Sequence, residues 1–301
     1  MRLEGIHHIT AITEDAQRNV DFYAGTMGLR LVKKTVNQDN PTVYHLFFAD
    51  EKASAGSDLT FFEYPGVPQG RAAAGMVHRI VWRVGSEDSL SFWSERLAAS
   101  GIEPERAEGS LTFSDPEGLE HELAVVEVSD DPLIADHPEI PAELALQGFH
   151  AVRAYSAAPD TSRGLLEALE FEPAGEGWEA RGEKRGGSYF YDEPPGERGL
   201  QGAGSVHHVA WASTIDEHTR WREKAIAAGA QPTPVIDRFY FRSIYFREPS
   251  GVLFEIATLG PGFTVDEPLE HLGEKLSLPP DYEHLRAEVE LNLRPVLNPR
   301  V

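Results

Sequence analysis

The sequence predicts an α+β fold: four βαβββ modules forming two open β-barrel-like domains, followed by a C-terminal arm and helix. Three observations predict it. Four segments open with a similar strand-like phrase, GIHHITAI at 5, MVHRIVWRV at 76, GFHAVRAYS at 148 and SVHHVAWAS at 205. Each is followed by a stretch of helical spacing that starts after a polar cap and ends near glycine, and then by three strand-like stretches. An acidic, proline-bearing stretch interrupts the repeat once, near the middle of the chain.

Taken in order, the first opening strand leads to a helix over Thr13–Gly28, with Val20, Phe22 and Tyr23 on its apolar face. TVYHLFFAD and DLTFFEY supply later strands of that module. In the second module SEDSLSFWSERLAASG predicts a helix from Ser86 to Gly101. In the third the shorter DTSRGLLEALEF predicts one, and in the fourth TIDEHTRWREKAIAAG predicts one ending at Gly229. FYFRSIYF and GVLFEIAT are strands of module four. Segmentation follows: 1–127 holds modules one and two, 128–147 is a linker, and 148–260 holds modules three and four. The remainder, 261–301, is the arm, with a helix from Asp281 to Leu293 that packs on the body or on an oligomer partner.

Composition narrows the function. A chain of 301 residues with 41% hydrophobic content can bury a sizeable core. Its net charge of -22 opposes a general affinity for nucleic acid or anionic membranes. No apolar run approaches a membrane span, and MRLEGIHHIT lacks the pattern of a signal peptide, so a cytoplasmic location is expected by default. There are no cysteines, so any bound metal must be held by nitrogen and oxygen.

Each opening phrase carries a histidine near its start, and His8, His78, His150 and His208 are read as one inherited position. Modules two and four share a further feature, DPEGLEHELA at 115 and EPSGVLFEIA at 248, in which Glu122 and Glu255 fall four residues after the turn glycine. Alone, either is an edge-strand carboxylate; flanked by alternating apolar residues, it is costly to bury unless paired or metal-bound. Two imidazoles and one carboxylate on one face of an octahedral ion leave three adjacent positions open, the arrangement of non-haem Fe(II) oxygenases.

Along its whole length the chain resembles the vicinal oxygen chelate superfamily of glyoxalases, bleomycin-resistance proteins and extradiol dioxygenases. Within it, the chain is most similar to the ring-cleaving dioxygenases of hydroquinone type. The residues that carry the likeness are GIHHIT, MGLRLVKKTVNQDN, YHLFFAD, QGFH at 147, SVHHVA, DRFYFRSIYFREPSGVLFE and the GFTVDE tail. The resemblance implies an Fe(II)-dependent enzyme, with Mn(II) fitting the same ligands, that opens a dihydroxylated aromatic ring with O2. It implies His8, His208 and Glu255 as metal ligands, with His7, Thr10, His207, Arg238 and Tyr245 around the substrate or behind the ligands. A small aromatic diol and O2 are then the partners, and a homo-oligomer is compatible with the arm.

Three alternatives stay open at this level. A catechol extradiol enzyme draws its first ligand from module three, which makes His150 the rival of His8; the HH doublet, present only in modules one and four, favours His8. A glyoxalase-like isomerase or lyase needs a fourth protein ligand, for which Glu63 in DLTFFEYP is the residue to inspect. Glu63 is read as solvent-facing, being farther from His8 than Glu255 is from His208. A non-catalytic small-molecule binder needs neither histidines nor glutamate. His78, His150 and Glu122 are the corresponding set in the other barrel, expected to be structural.

Overall fold

The computed structural model describes residues 1–300. The βαβββ unit recurs four times. Module one comprises β1 (Ile6–Thr13), α1 (Ala16–Val20), β2 (Arg30–Asn37), β3 (Asn40–Ala49) and β4 (Asp58–Glu63). Module two runs through β5 (Met76–Val84), α2 (Glu87–Ala99), β6 (Glu105–Ala107), β7 (Ser110–Ser114) and β8 (Glu120–Val125). Module three is β9 (Phe149–Tyr155), α3 (Arg163–Ala168), β10 (Glu172–Ala174), β11 (Gly177–Arg181) and β12 (Gly186–Asp192). Module four is β13 (Val206–Ser213), α4 (His218–Ala227), β14 (Ile236–Asp237), β15 (Phe241–Arg247) and β16 (Leu253–Pro261).

The strands form two eight-stranded sheets, and the pairing is nested. One sheet has the order β14-β15-β16-β13-β1-β4-β3-β2 and joins module four to module one; the other, β10-β11-β12-β9-β5-β8-β7-β6, joins three to two. Cutting the sequence at the linker therefore does not cut between sheets, because each half of the chain contributes one module to each. The two central strands of each sheet, β1 with β13 and β5 with β9, run antiparallel and are flanked by parallel partners.

Alternation sorts the side chains. On β3, Tyr44, Leu46 and Phe48 enter the main core beneath the helices, while Phe47 and Ala49 join a small separate cluster on the concave face with Tyr240, Phe241 and Phe263. Trp82, Trp93, Trp211 and Trp221 are fully buried in the main core. Helix α2 shows how the pattern sets the fold. Ser86 caps Ser89 N at 3.2 Å, and Leu90, Trp93 and Leu97 line up on its buried face.

Local departures have physical causes. The first predicted helix is only five residues of α-helix before widening into a π-helical turn, Asp21–Thr26, closed by Met27 N to Phe22 O at 2.8 Å. The turn aims Tyr23 inward, where its hydroxyl donates to Asp115 at 2.8 Å. The predicted tail helix begins as a 3-10 segment, Pro280–Leu285, and is α-helical only at α5 (Arg286–Asn292); proline cannot donate the first helical hydrogen bonds. Gly204 stands where no side chain fits: its φ is +74°, and a Cβ there would lie 2.1 Å from the Glu117 carbonyl oxygen.

The tail packs on sheet one. Fully buried Lys33 on β2 reaches Asp266 at 2.7 Å and also contacts Glu267, while Tyr240 donates its hydroxyl to Asp266 at 2.9 Å. The linker is likewise held, with Asp130 between Arg181 at 2.7 Å and Arg83 at 3.5 Å. No helix among the described residues is long and apolar enough to cross a membrane.

Candidate metal centre

Strands β1, β13 and β16 bring His8, His208 and Glu255 to one point on the concave face of sheet one. Glu255 Oε2 lies 3.2 Å from His8 Nε2 and 2.8 Å from His208 Nε2, and the two Nε2 atoms are 3.3 Å apart. All three side chains are buried. The other Glu255 oxygen accepts from Ser243 Oγ at 2.5 Å, whereas the fully buried Oε2 has no hydrogen-bond donor.

The flanking histidines explain why. The register of β1 against β13 shifts between Ile6 and His8 and again beyond Thr10, so each HH doublet sits in a β-bulge. In a regular strand neighbouring side chains point to opposite faces; the bulges let each outer histidine fold back onto its neighbour. His7 Nε2 donates to the Thr258 carbonyl at 3.1 Å, a partner that can only accept. His7 Nδ1 is then an acceptor for His8 Nδ1–H, 2.9 Å away, which leaves the His8 Nε2 lone pair facing Glu255. The same Nδ1–Nδ1 contact joins His207 to His208 at 2.7 Å. Burial, reinforced by His8, lowers the His7 pKa to about 3 and keeps that ring neutral.

Three lone pairs thus converge on one small volume. Burial works against the Glu255 charge, yet the adjacent imidazoles outweigh it and hold its carboxyl well below the usual range. For His8, burial is outweighed in turn by Glu255, and its pKa rises; for His208 burial prevails and its pKa falls. One proton at His8 is the least that relieves the cluster, and a divalent cation relieves it fully. The donor set, two imidazole nitrogens and a carboxylate oxygen backed by hydrogen-bonded partners, fits such an ion.

The fourth corner of the site is not a ligand. Ile9 pairs with Val209, Ile9 with Leu59 and Val209 with Phe254, so Thr60 on β4 occupies the place that Glu255 has on β16. Its hydroxyl is hydrogen-bonded to Thr10 Oγ1 at 2.8 Å and to His45 Nε2 at 2.9 Å. Glu63 lies three residues beyond. It is buried rather than solvent-facing, because its carboxylate accepts from Ala16 N at 3.0 Å at the start of α1, and it does not join the cluster.

A solvent-connected recess opens beside the cluster. His8, Thr10, His45, Phe47, Phe62, His208, Arg238, Tyr240, Phe241 and Tyr245 are among its lining residues. The Phe241 ring lies 5.1 Å from that of His8, and the Tyr245 ring stands edge-on to His208 at 5.7 Å. Arg238 Nε approaches Tyr245 Oη at 3.3 Å, and its two terminal nitrogens grip Asp39 at 3.1 and 2.9 Å. Burial opposes the Arg238 charge, but Tyr245 and Asp39 raise its pKa above the usual range. Tyr245 is likewise raised, by burial and then by Glu255.

Of the eight residues singled out from the sequence, Thr10, Arg238 and Tyr245 line the cavity with His8 and His208. His7 and His207 stand behind those two histidines instead. His45, Thr60, Ser243, Asp39 and Asp58 were not legible as site residues. Alternation through YHLFFA, which puts His45 and Phe47 on one face, is the signal that reaches the first of them. Asp58, opposite His8 on β4, has no hydrogen bond to either carboxylate oxygen, and burial raises its pKa to about 7.

His150 is on β9, in the other sheet, and is removed from the cluster. The registers also correct the equivalence of the four histidines. His78 and His150 match the bulge residues His7 and His207; the places of His8 and His208 are taken by Arg79 and Ala151. Glu122 does match Glu255, but there the guanidinium of Arg79 meets it at 3.3 Å. His78 stacks on Tyr155 and bonds Asp192 at 2.8 Å.

Comparison with known proteins places this geometry. The model of the glyoxalase/bleomycin resistance protein/dioxygenase superfamily matches residues 5–123. A Bacillus subtilis (strain 168) protein named as a candidate ring-cleaving dioxygenase, MhqA, is 39% identical over 98% of this chain and 100% of its own length. This chain belongs to the glyoxalase/bleomycin resistance protein/dioxygenase superfamily. A second relative from that organism, MhqO, named in the same way, is 41% identical over 97% of this chain and 96% of its own. Within the superfamily, the chlorohydroquinone/hydroquinone 1,2-dioxygenase of Sphingobium indicum is 32% identical over 96% of this chain and 95% of its own. The crystal structure of a candidate dioxygenase from Bacillus subtilis superposes with a TM-score of 0.91 at 37% identity, covering 100% of this chain and 99% of the other. Glyoxalase I from Zea mays, at 16% identity and a TM-score of 0.61, shares the superfamily fold, covering 89% of this chain and 96% of its own.

Proposed function

We propose that this superfamily member is an Fe(II)-dependent, extradiol-type ring-cleaving dioxygenase acting on hydroquinone or a related dihydroxylated aromatic. One observation carries the reading: His8, His208 and Glu255 converge while the fourth corner holds the hydrogen-bonded threonine Thr60. Three protein ligands leave room for two guests. A fourth carboxylate, as the isomerase alternative requires, is lacking at that corner. The names of the relatives, ring-cleaving and hydroquinone dioxygenases, support the same class.

Iron held there supplies a Lewis-acidic, redox-active centre with adjacent open positions; Mn(II) is accepted by the same donors. The chain does the rest. Phe241, Phe47 and Phe62 wall the cavity against a flat ring and exclude water. Tyr245 and Arg238 face the oxygen atoms that gain charge during ring opening, Arg238 as a fixed cation and Tyr245 as a hydroxyl that accepts from it. His207, exposed at the surface behind His208, links that ligand to solvent and can exchange protons there.

The decisive experiment is anaerobic loading with Fe(II) followed by oxygen-uptake assays on hydroquinone, methylhydroquinone and catechol. His8→Ala is expected to lose uptake, and His150→Ala to keep it within about twofold of wild type, since it lies on the other sheet. Absence of uptake with every diol overturns the dioxygenase reading. Loss in His150→Ala alone overturns the ligand assignment.

A further inference from the structure

The cavity has two ends. At one stand His8, His208 and Glu255; at the other, two strands away across β4, stands His45 on β3. Neighbouring strands are ~4.8 Å apart, so the two ends are separated by roughly the span of one substituted ring. The polar groups between them are mostly engaged with one another. Arg238 is held by Asp39 and Tyr245, Asn37 Nδ2 donates to Tyr64 Oη at 3.0 Å, and Gln38 Nε2 donates to the Arg238 carbonyl at 2.8 Å.

Two groups are left over. His45 spends Nε2 on Thr60, while its Nδ1 has no hydrogen-bond partner among the described residues. Thr35, its cross-strand partner on β2, lines the same cavity and is buried, with a hydroxyl that likewise has none. The His45 ring is fixed between Phe47, with centroids 4.0 Å apart, and Phe62 at 4.4 Å, so its unpaired edge is held in place before any ligand arrives. A buried hydroxyl left open in an aromatic-walled cavity is costly unless a ligand completes it, and half-buried His45 holds its free edge on the neighbouring strand beside that hydroxyl.

We infer that His45, assisted by Thr35, binds the second hydroxyl of a para-dihydroxybenzene whose first hydroxyl faces His8, His208 and Glu255. The inference rests on the function proposed above and sharpens it. A para-diol presents one oxygen to each end of the cavity. An ortho-diol presents both at the metal-ligand end and leaves His45 against a C–H edge. His45 is thus the residue that separates the two substrate classes, and Thr60, which orients it, is a positioning residue.

The test measures anaerobic binding of hydroquinone, catechol and phenol to the metal-loaded protein by calorimetry, for wild type, His45→Phe, His45→Gln and Thr35→Val. Wild type is expected to bind hydroquinone about tenfold more tightly than phenol, the worth of one well-made hydrogen bond. His45→Phe is expected to erase that ratio by weakening hydroquinone alone, and His45→Gln to restore part of it. In turnover the KM for hydroquinone rises about tenfold with kcat little changed. Equal weakening of all three ligands in His45→Phe, which a merely structural role produces, overturns the inference. So does an unchanged hydroquinone-to-phenol ratio. Because binding is read without oxygen, a wild type that binds with the expected ratio yet takes up no oxygen sinks the dioxygenase reading and not this one.

Discussion

The outer histidines of the two doublets decide what the inner ones can do. His7 accepts from His8 Nδ1–H and donates its own Nε2–H to the Thr258 carbonyl, which fixes both tautomers and points the His8 lone pair at Glu255. Replacing His7 with leucine keeps the volume near constant and removes that anchor. We expect the metal dissociation constant to rise 10–100-fold, read by competition with a chromophoric chelator; unchanged affinity refutes the orienting role. The convergence of His8, His208 and Glu255 was legible in the sequence, through the family resemblance and the HH doublets of modules one and four. The fate of Glu63 was not. Its distance along the chain from His8 says nothing about strand register, and only the pairing of β1 with β4 reveals that Thr60, three residues earlier, takes the fourth corner. His45 was hidden for another reason: a lone histidine in an aromatic strand reads as packing until its neighbours across the sheet are known.

At the scale of elements, the βαβββ order and the positions of α2 and α4 followed from helical spacing and glycine stops, while the bulges and the π-turn did not, since both are one-residue insertions that periodicity averages away. The offset in matching the four histidines has another origin: the bulges recur at the same place in both sheets, and the second histidine of each doublet was set against the single histidine of modules two and three. The π-turn feeds a buried chain of hydrogen bonds that ties module one to module two. Trp82 Nε1 donates to His121 Nδ1 at 3.1 Å, His121 Nε2 lies 2.9 Å from Tyr23 Oη, and Tyr23 donates to Asp115. The Trp82 donor leaves no place for a second ring proton, and burial lowers the His121 pKa to about 3. Between pH 6.5 and 3 the unfolded chain binds this proton and the folded one does not, so the stability His121 confers is complete above that window and is lost as pH falls through it. Wild type should therefore lose about 2 kcal/mol more than His121→Phe between pH 7 and 5, measured by urea unfolding at each pH. Parallel pH dependence of the two proteins contradicts a neutral His121.

For the whole molecule, the linker is part of the folded body, clamped onto the sheet that joins modules two and three. The stretch from 128 to 147 was read as a connection between halves, and it is one, but Asp130 within it gathers Arg83 from β5 and Arg181 from β11. Composition could not reveal this, because an acidic loop looks the same whether it is solvated or clamped. Arg83 and Asp130 are both nearly inaccessible, so Asp130→Ala strands a buried guanidinium; a loss of about 3 kcal/mol in unfolding free energy is expected, with Asp131→Ala as the exposed control. The nested order of the sheets carries a further consequence. During translation, modules two and three can close their sheet while module one waits beside them with half a cavity and only His8 of the three clustered side chains. The binding centre comes into being only when the ribosome has delivered the last quarter of the chain, so a truncated product carries none of the chemistry, however well its interior half has folded.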